Sequence, residues 1–238
     1  MKARHLGIAA ISAEGAALCY RTLVQEAQAA MGEHAHPEIS LHCFSMSEHM
    51  AAIEAGDWPQ VGRLLLASAQ KLVAGGAELL LCPDNTVHPG LALIRAQSPA
   101  PWLHIGEEVA KAAQARGFRR IGVLGTRFLM EGPVYPQALA ALGMEAVIPD
   151  EAQRLGIHRR IFGELVQGRF EPETRRYFQA VIQTLADQGC DAVVLGCTEI
   201  PLLIGESDSP LPVLDSTRLL ARAALRFAIN PGISPEGP

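Results

Sequence analysis

Gly-Ala-Glu-Leu-Leu-Leu-Cys-Pro-Asp-Asn-Thr runs from Gly76 to Thr86, and Gly-Cys-Asp-Ala-Val-Val-Leu-Gly-Cys-Thr-Glu runs from Gly189 to Glu199. The two begin 189 − 76 = 113 residues apart. Each reads as a glycine turn, a short apolar strand and a small polar turn. The same shift pairs Gln70 with Gln183 and Leu72 with Leu185 in the preceding helix-like stretch, and it sets Asp84 on Cys197 (84 + 113 = 197). Flanking blocks agree with small offsets. Leu-Gly-Ile-Ala-Ala-Ile-Ser from Leu6 matches Ile-Gly-Val-Leu-Gly-Thr from Ile121, and Pro-Trp-Leu-His from Pro101 matches Pro-Val-Leu-Asp from Pro212. Three matches in the same order mark an internal repeat, so two similar α/β lobes related by a pseudo-twofold are expected.

Outward from the repeat, short apolar runs alternate with longer helical patterns. Strands are expected at Leu6–Ile11, Glu38–Phe44, Leu79–Cys82, Trp102–His104, Ile121–Leu124, Glu145–Ile148, Ala192–Leu195 and Val213–Leu214. Helical spacing runs through Gln60–Ala74, Glu107–Ala115 and Arg175–Gln188. Near-continuously apolar strands alternating with helices give an α/β fold with parallel sheets covered on both faces. The expected division is 1–102 plus 213–238 for the first lobe and 103–212 for the second, with the active site in the cleft between them. The tail Asn230–Pro238, with three prolines and two glycines, is expected to fray.

The bulk numbers exclude several classes. The chain has 238 residues, 49% hydrophobic and 19% charged, enough for a real core without staples. Its net charge of −5 is spread along the chain, with no basic stripe for nucleic acid. No apolar run is long enough to span a membrane. Cys19, Cys43, Cys82, Cys190 and Cys197 are an odd set without a CxxC pair, which points to a reducing cytoplasm. The start, Met-Lys-Ala-Arg before Leu6–Ile11, has the look of a secretory signal but is interrupted by Glu14 and Gly15, and a first strand accounts for it.

Ligands of open parallel sheets sit beyond the carboxyl ends of the strands. There the repeat places Asp84-Asn85-Thr86 in one lobe and Cys197-Thr198-Glu199 in the other. If the lobes face each other, Asp84 and Cys197 reach one small molecule from opposite sides. Stereoinversion at carbon needs that: one group takes a proton from one face and the other delivers a proton to the opposite face. A thiol followed by Thr198 as a cap and Pro201 in a first helical turn stands where thiolate is favoured. The bland alternatives are a packing cysteine for Cys197 and a plain Pro-Asp-Asn turn for Asp84. Cys43 and Cys190 fall within apolar periodicity and read as packing residues.

Ser12, Asn85, Thr86, Thr126 and Thr198 can donate hydrogen bonds to a carboxylate and to the enediolate-like charge that forms when an α-proton leaves. They can equally serve as caps and turn residues. His88 could orient a base or simply fill the core, and His104 and Asp215 are equivalent strand-end residues that could support the site. No phosphate loop, no GxGxxG after the first strand and no tight metal spacing appears, and His42 with His49 is too loose to count. Of three lysines, Lys2, Lys71 and Lys111, the last two fall in helical stretches, and none stands out as a Schiff-base residue.

Three segments resemble the aspartate/glutamate racemase superfamily: Asp84-Asn85-Thr86-Val87-His88, Leu124-Gly125-Thr126-Arg127 with Met130-Glu131, and Gly196-Cys197-Thr198-Glu199-Ile200. The resemblance covers about Leu6 to Leu220. It implies two pseudo-symmetric flavodoxin-like lobes, no cofactor, no metal and a homodimer. It also implies a small-molecule carboxylate substrate clamped by Asn-Thr and Thr residues, Glu199 among the binding set, between two catalytic residues. Family racemases usually carry a cysteine directly before Asn-Thr, where this chain has Asp84. Cys82 lies two residues earlier, within or at the end of the strand. Ser45-Met46-Ser47-Glu48 stands where aspartate-using members tend to show Ser-x-Asp-Phe, and Glu164–Gln167 lacks the lysine expected for a distal carboxylate.

Three readings follow. The first is cofactor-independent racemisation or epimerisation of a small α-amino acid, aspartate/glutamate-like or broader, by Asp84 and Cys197. The second is decarboxylation or cis–trans isomerisation of a small dicarboxylate, with Cys197 as nucleophile or proton donor. The third is a binding protein that has lost activity.

Overall fold

The computed structural model describes residues 3–230 and 232. The expected frayed tail therefore lies outside the described residues apart from Asn230 and Gly232, as do Met1 and Lys2. In chain order the elements are β1 (Leu6–Ala10), α1 (Ala13–Met31), β2 (Ile39–Cys43), α2 (Met46–Glu54), α3 (Trp58–Ala74), β3 (Leu79–Leu81), α4 (His88–Ile94) and β4 (Trp102–Leu103). There follow α5 (Ile105–Ala115), β5 (Arg120–Leu124), α6 (Arg127–Met130), α7 (Val134–Ala140), β6 (Glu145–Val147), α8 (Glu151–Gly163), α9 (Pro172–Asp187), β7 (Ala192–Leu195), α10 (Ile200–Leu203), β8 (Val213–Asp215) and α11 (Ser216–Ile229). Every expected strand forms, with ends moved by a residue or so.

The chain folds as two α/β units. One runs to Ile105 and resumes at Thr217; the other is Gly106–Ser216. Each holds a four-stranded parallel sheet, ordered β2-β1-β3-β4 in the first and β6-β5-β7-β8 in the second.

The repeat extends to the register. Leu6 pairs with Leu79 in the first sheet, and Ile121 pairs with Ala192 in the second. Leu80 opposite Trp102 recurs as Val193 opposite Val213. These are the partners that the sequence matches demand.

Packing explains the shared residues. Side chains alternate across a strand. In the first unit Leu6, Ile8, Leu79 and Leu81 bury one face against Cys19, Leu23 and Ala27 of α1 and Leu220, Ala224 and Phe227 of α11. The opposite face meets α3 so closely that a Cβ on Gly7 would lie 3.2 Å from Leu72 Cβ. In the second unit a Cβ on Gly122 would lie 2.8 Å from Leu185 Cδ1, the repeat partner of Leu72. Leu185 is fully buried among Val193, Leu195, Ile157, Phe178 and Ile182. Leu185→Ala is expected to cost about 2–5 kcal/mol of unfolding free energy, measured by urea denaturation.

Candidate active site

A flavodoxin-like strand order reverses direction between its first and third strands, and ligands bind at that switch point. In the first unit Ser12 follows β1 and Asp84 follows β3, so these two flank the switch. In the second unit Thr126 follows β5 and Cys197 follows β7, and they flank the equivalent one.

In the first unit residues 79–88 are buried with one exception, Asp84. Its Oδ1 accepts a hydrogen bond from the Thr86 backbone N–H at 2.8 Å, a turn that fixes the carboxylate over its own loop. Asn85 and Thr86 are buried beside it. Ser12 is buried and caps α1, its Oγ accepting from Gly15 N at 3.2 Å.

His88 lies behind this turn. Its Nε2–H donates to the Cys82 carbonyl at 3.2 Å, since a carbonyl can only accept, and this fixes the tautomer. Its ring stands edge-on to His104 at 4.4 Å between centroids. Burial first, and the neighbouring His104 second, hold the His88 pKa well below the usual histidine value. His88 is thus a neutral core residue that pins the strand end ahead of Asp84.

Cys82 is fully buried. Burial, followed by the charge of Asp84, pushes its thiol well above the ordinary cysteine value. Thiolate at this position is suppressed, so it is no base near neutral pH. Cys82→Ala is expected to retain activity within a few-fold and to lose roughly 1 kcal/mol of stability from the small void. Activity as low as that of a Cys197 variant would mean that the repeat aligns the wrong residue with Cys197.

The second unit repeats the pattern. Residues 192–200 are buried with one exception, Cys197. The approach to it is tight: Gly196 N–H donates to Leu124 O at 2.7 Å, and a Cβ on Gly196 would lie 2.8 Å from that oxygen. Glycine before Cys197 is what lets the ends of β5 and β7 close together. Thr126 is buried and caps α6, its Oγ1 accepting from Leu129 N at 3.2 Å.

The thiol of Cys197 donates to Glu199 Oε2 at 2.9 Å, and Thr198 Oγ1 donates to the same oxygen at 2.8 Å. Thr198 and Glu199 are buried at 4% and 1% exposure, so this carboxylate is held within the protein beside the thiol.

This corrects the expectation that Thr198 caps a helix that lowers the Cys197 pKa. The residue preceding α10 is Glu199, no side chain caps it, and α10 is a single turn of four residues. One turn sums few peptide dipoles, so the helix contributes little to the thiol. The repeat also slips here by one residue. Asp84 and Cys197 are 113 apart, whereas Pro89 and Pro201, each in the first turn of the following helix, are 201 − 89 = 112 apart. The turn bonds from His88 N–H to Asn85 O and from Ile200 N–H to Cys197 O already recur at the shorter shift, so the extra residue of the first turn lies ahead of Asn85.

Two other features were not legible in advance. Glu199 was singled out for substrate, and nothing in the spacing shows that its Oε2 is engaged by Cys197. His49, one turn into α2 after β2, is buried, and neither ring nitrogen has a hydrogen-bond partner among the described residues. Burial lowers its pKa. Among the described residues no cluster of His, Cys, Asp and Glu could hold a metal ion, and no helix is long and apolar enough to cross a membrane.

Duplicated parallel sheets, each presenting one partly exposed titratable residue in an otherwise buried segment at its switch point, fit a racemase-type isomerase of two α/β lobes. The Asp/Glu/hydantoin racemase family model matches residues 8–224, and the chain belongs to that family. It is 26% identical to the broad specificity amino-acid racemase RacX of Bacillus subtilis over 172 residues, covering 71% of this chain and 73% of that one. It is 33% identical over 156 residues to a glutamate racemase of Beutenbergia cavernae, covering 61% of this chain but only 50% of that enzyme. Among solved structures, a putative Asp/Glu racemase from Yersinia pestis superposes with a TM-score of 0.87 at 33% identity, covering 95% of this chain and 100% of that one. An aspartate racemase homologue from Pyrococcus horikoshii gives a TM-score of 0.83 at 25% identity, with the same coverage.

Proposed function

We propose that this chain racemises or epimerises small α-amino acids without pyridoxal phosphate, using Asp84 and Cys197 as its two proton-transfer groups. The observation that carries the reading is the matched pair of positions. Each unit exposes one residue in an otherwise buried strand-to-turn segment, at its own switch point, and each of those residues can hold or release a proton.

In this scheme one group removes the α-proton, and the electron pair of the C–H bond moves into the substrate carboxylate. Donors from Ser12, Asn85, Thr86 and Thr126, with the backbone N–H of Thr198, hold that carboxylate and the charge that builds on it. The other group protonates the opposite face, and the configuration at Cα is inverted. The proposal includes a homodimer, as the family resemblance implies. It also includes a cytoplasmic location, supported by five cysteines that are all free.

The substrate assignment is a broad one, aspartate/glutamate-like or wider. Ser45-Met46-Ser47-Glu48 and Glu164–Gln167 lack the residues expected for an aspartate side chain. RacX, a relative by sequence, is named for broad specificity. The test is a panel of single enantiomers, acidic and neutral, followed by circular dichroism. Loss of optical activity for one or more amino acids with no change in composition is the expected result. Release of carbon dioxide or a shifted double bond from a small dicarboxylate, with no amino acid racemised, would overturn it. That outcome would favour the alternative in which Cys197 works alone, a reading encouraged by the Asp84–Thr86 turn hydrogen bond.

A further inference from the structure

Glu199 stands one residue beyond the turn that presents Cys197, and its Oε2 is the shared acceptor for the Cys197 thiol at 2.9 Å and the Thr198 hydroxyl at 2.8 Å. A carboxylate that is to grip a substrate amino group or hydroxyl presents its oxygens to the ligand. This one spends an oxygen on the thiol and is 1% exposed. A negative charge at hydrogen-bond distance opposes loss of the thiol proton and gives that proton one preferred direction.

Resting on the racemase reading above, we propose that Glu199 is a positioning residue that keeps Cys197 in its protonated, donating form. The enzyme then rests with Asp84 as the base and Cys197 as the acid. In one direction Asp84 takes the α-proton, and the C–H electron pair passes into the substrate carboxylate. The S–H bond of Cys197 then breaks as its proton forms the new C–H bond on the other face. Protonated Asp84 and a Cys197 thiolate beside Glu199 remain. That form either runs the reverse direction or returns to rest when Asp84 gives its proton to water and the thiolate takes one from water. Glu199 makes the thiolate form the less populated of the two.

Other titratable groups are carried by the elements around Cys197 in its own unit. They include Asp215 at the end of β8, Tyr135 of α7, Arg127 of α6, and His158 of α8, which also carries Glu151, Arg154, Arg159 and Arg160. Leu195, two residues before Cys197, is in register with Asp215, and Tyr135 interacts with Ser216 and Asp215. His158 Nδ1 accepts from the Arg127 backbone N–H. Glu199 is the titratable group at hydrogen-bond distance of the thiol, 2.9 Å from its sulfur.

The test is alkylation of Cys197 by iodoacetamide across pH, in a Cys43→Ser background so that the exposed Cys43 does not consume reagent. Modification is followed by mass spectrometry of the peptide carrying Cys197. In the otherwise native protein the midpoint is expected above the free-cysteine reference of about 8.5. Glu199→Gln keeps the shape and removes the charge, and should lower the midpoint by about one unit, a tenfold rise in thiolate fraction below it. Glu199→Gln should also move the alkaline limb of turnover to lower pH for the enantiomer that is protonated by Cys197. A midpoint that stays the same or rises in Glu199→Gln overturns the assignment. If that variant does not fold, a native midpoint at or below about 8.5 does so on its own. Alkylation is read without turnover, so failure of the racemase reading shows separately, as a native protein that racemises no amino acid of the panel.

Discussion

Cys197→Ala and Cys197→Ser are expected to leave a folded protein with no measurable racemase turnover. Cys197 is the partly exposed residue of an otherwise buried segment, and its hydrogen-bond partner Glu199 keeps a second donor in Thr198 when the sulfur is removed. Little packing is lost, so the unfolding free energy should change by no more than about 1 kcal/mol. Serine preserves the shape, but a hydroxyl is far too weak an acid to replace a thiol. Turnover of each enantiomer and urea denaturation on the same preparations check both parts. A cysteine held only for packing would give the reverse, lower stability with activity kept.

Asp84→Asn is expected to reduce racemisation to less than about one hundredth, the usual scale for losing a general base. Asparagine can still accept the Thr86 N–H through its side-chain oxygen, so the turn should persist and the loss should fall on the chemistry. Full activity would remove Asp84 from the mechanism and leave Cys197 working alone. Asp84→Cys is expected to retain or raise activity and to make the pH profiles of the two directions converge. In the native protein they should differ, because in the proposed scheme a carboxylate of reference pKa about 3.9 and a thiol of about 8.5 serve opposite directions. Enantiomers are equal in free energy, so kcat/KM must be equal for both at one pH. The asymmetry can appear only in kcat and KM separately, each offsetting the other.

Much of this molecule is legible in its sequence because its strands other than the edge strands β2 and β6 are buried and its repeat is well kept. Leu79-Leu80-Leu81 and Ala192-Val193-Val194-Leu195 have no polar member, and apolar runs of that length between glycine turns have few other places to go. Leu72 and Leu185 align because each packs against a glycine, Gly7 or Gly122, in a central strand. A matching small-to-large contact on both sheets leaves a matching trace in both halves of the sequence.

Hydrogen-bond partners were not legible, since they depend on where three-dimensional neighbours fall. The sequence suggested Thr198 as a helix cap, yet its hydroxyl turns to Glu199 and α10 stops after one turn. The same limit hid the role of His88, whose bond to the Cys82 carbonyl spans six residues and a change of direction. His49 gave no signal at all: a histidine in a helix reads alike whether its ring faces solvent or a buried site.

The most direct test of the two-base account is the placement of solvent deuterium during the first few per cent of conversion. A single enantiomer of a substrate amino acid is incubated with the protein in deuterium oxide, and Cα is read by NMR in the remaining substrate and in the product separately. Two bases, one on each face, predict deuterium in the product while the substrate pool keeps its protium, from whichever enantiomer the reaction starts. Deuterium entering the remaining substrate as fast as the product, or a product that retains the substrate's own proton, would contradict the assignment of Asp84 and Cys197 as separate proton-transfer groups.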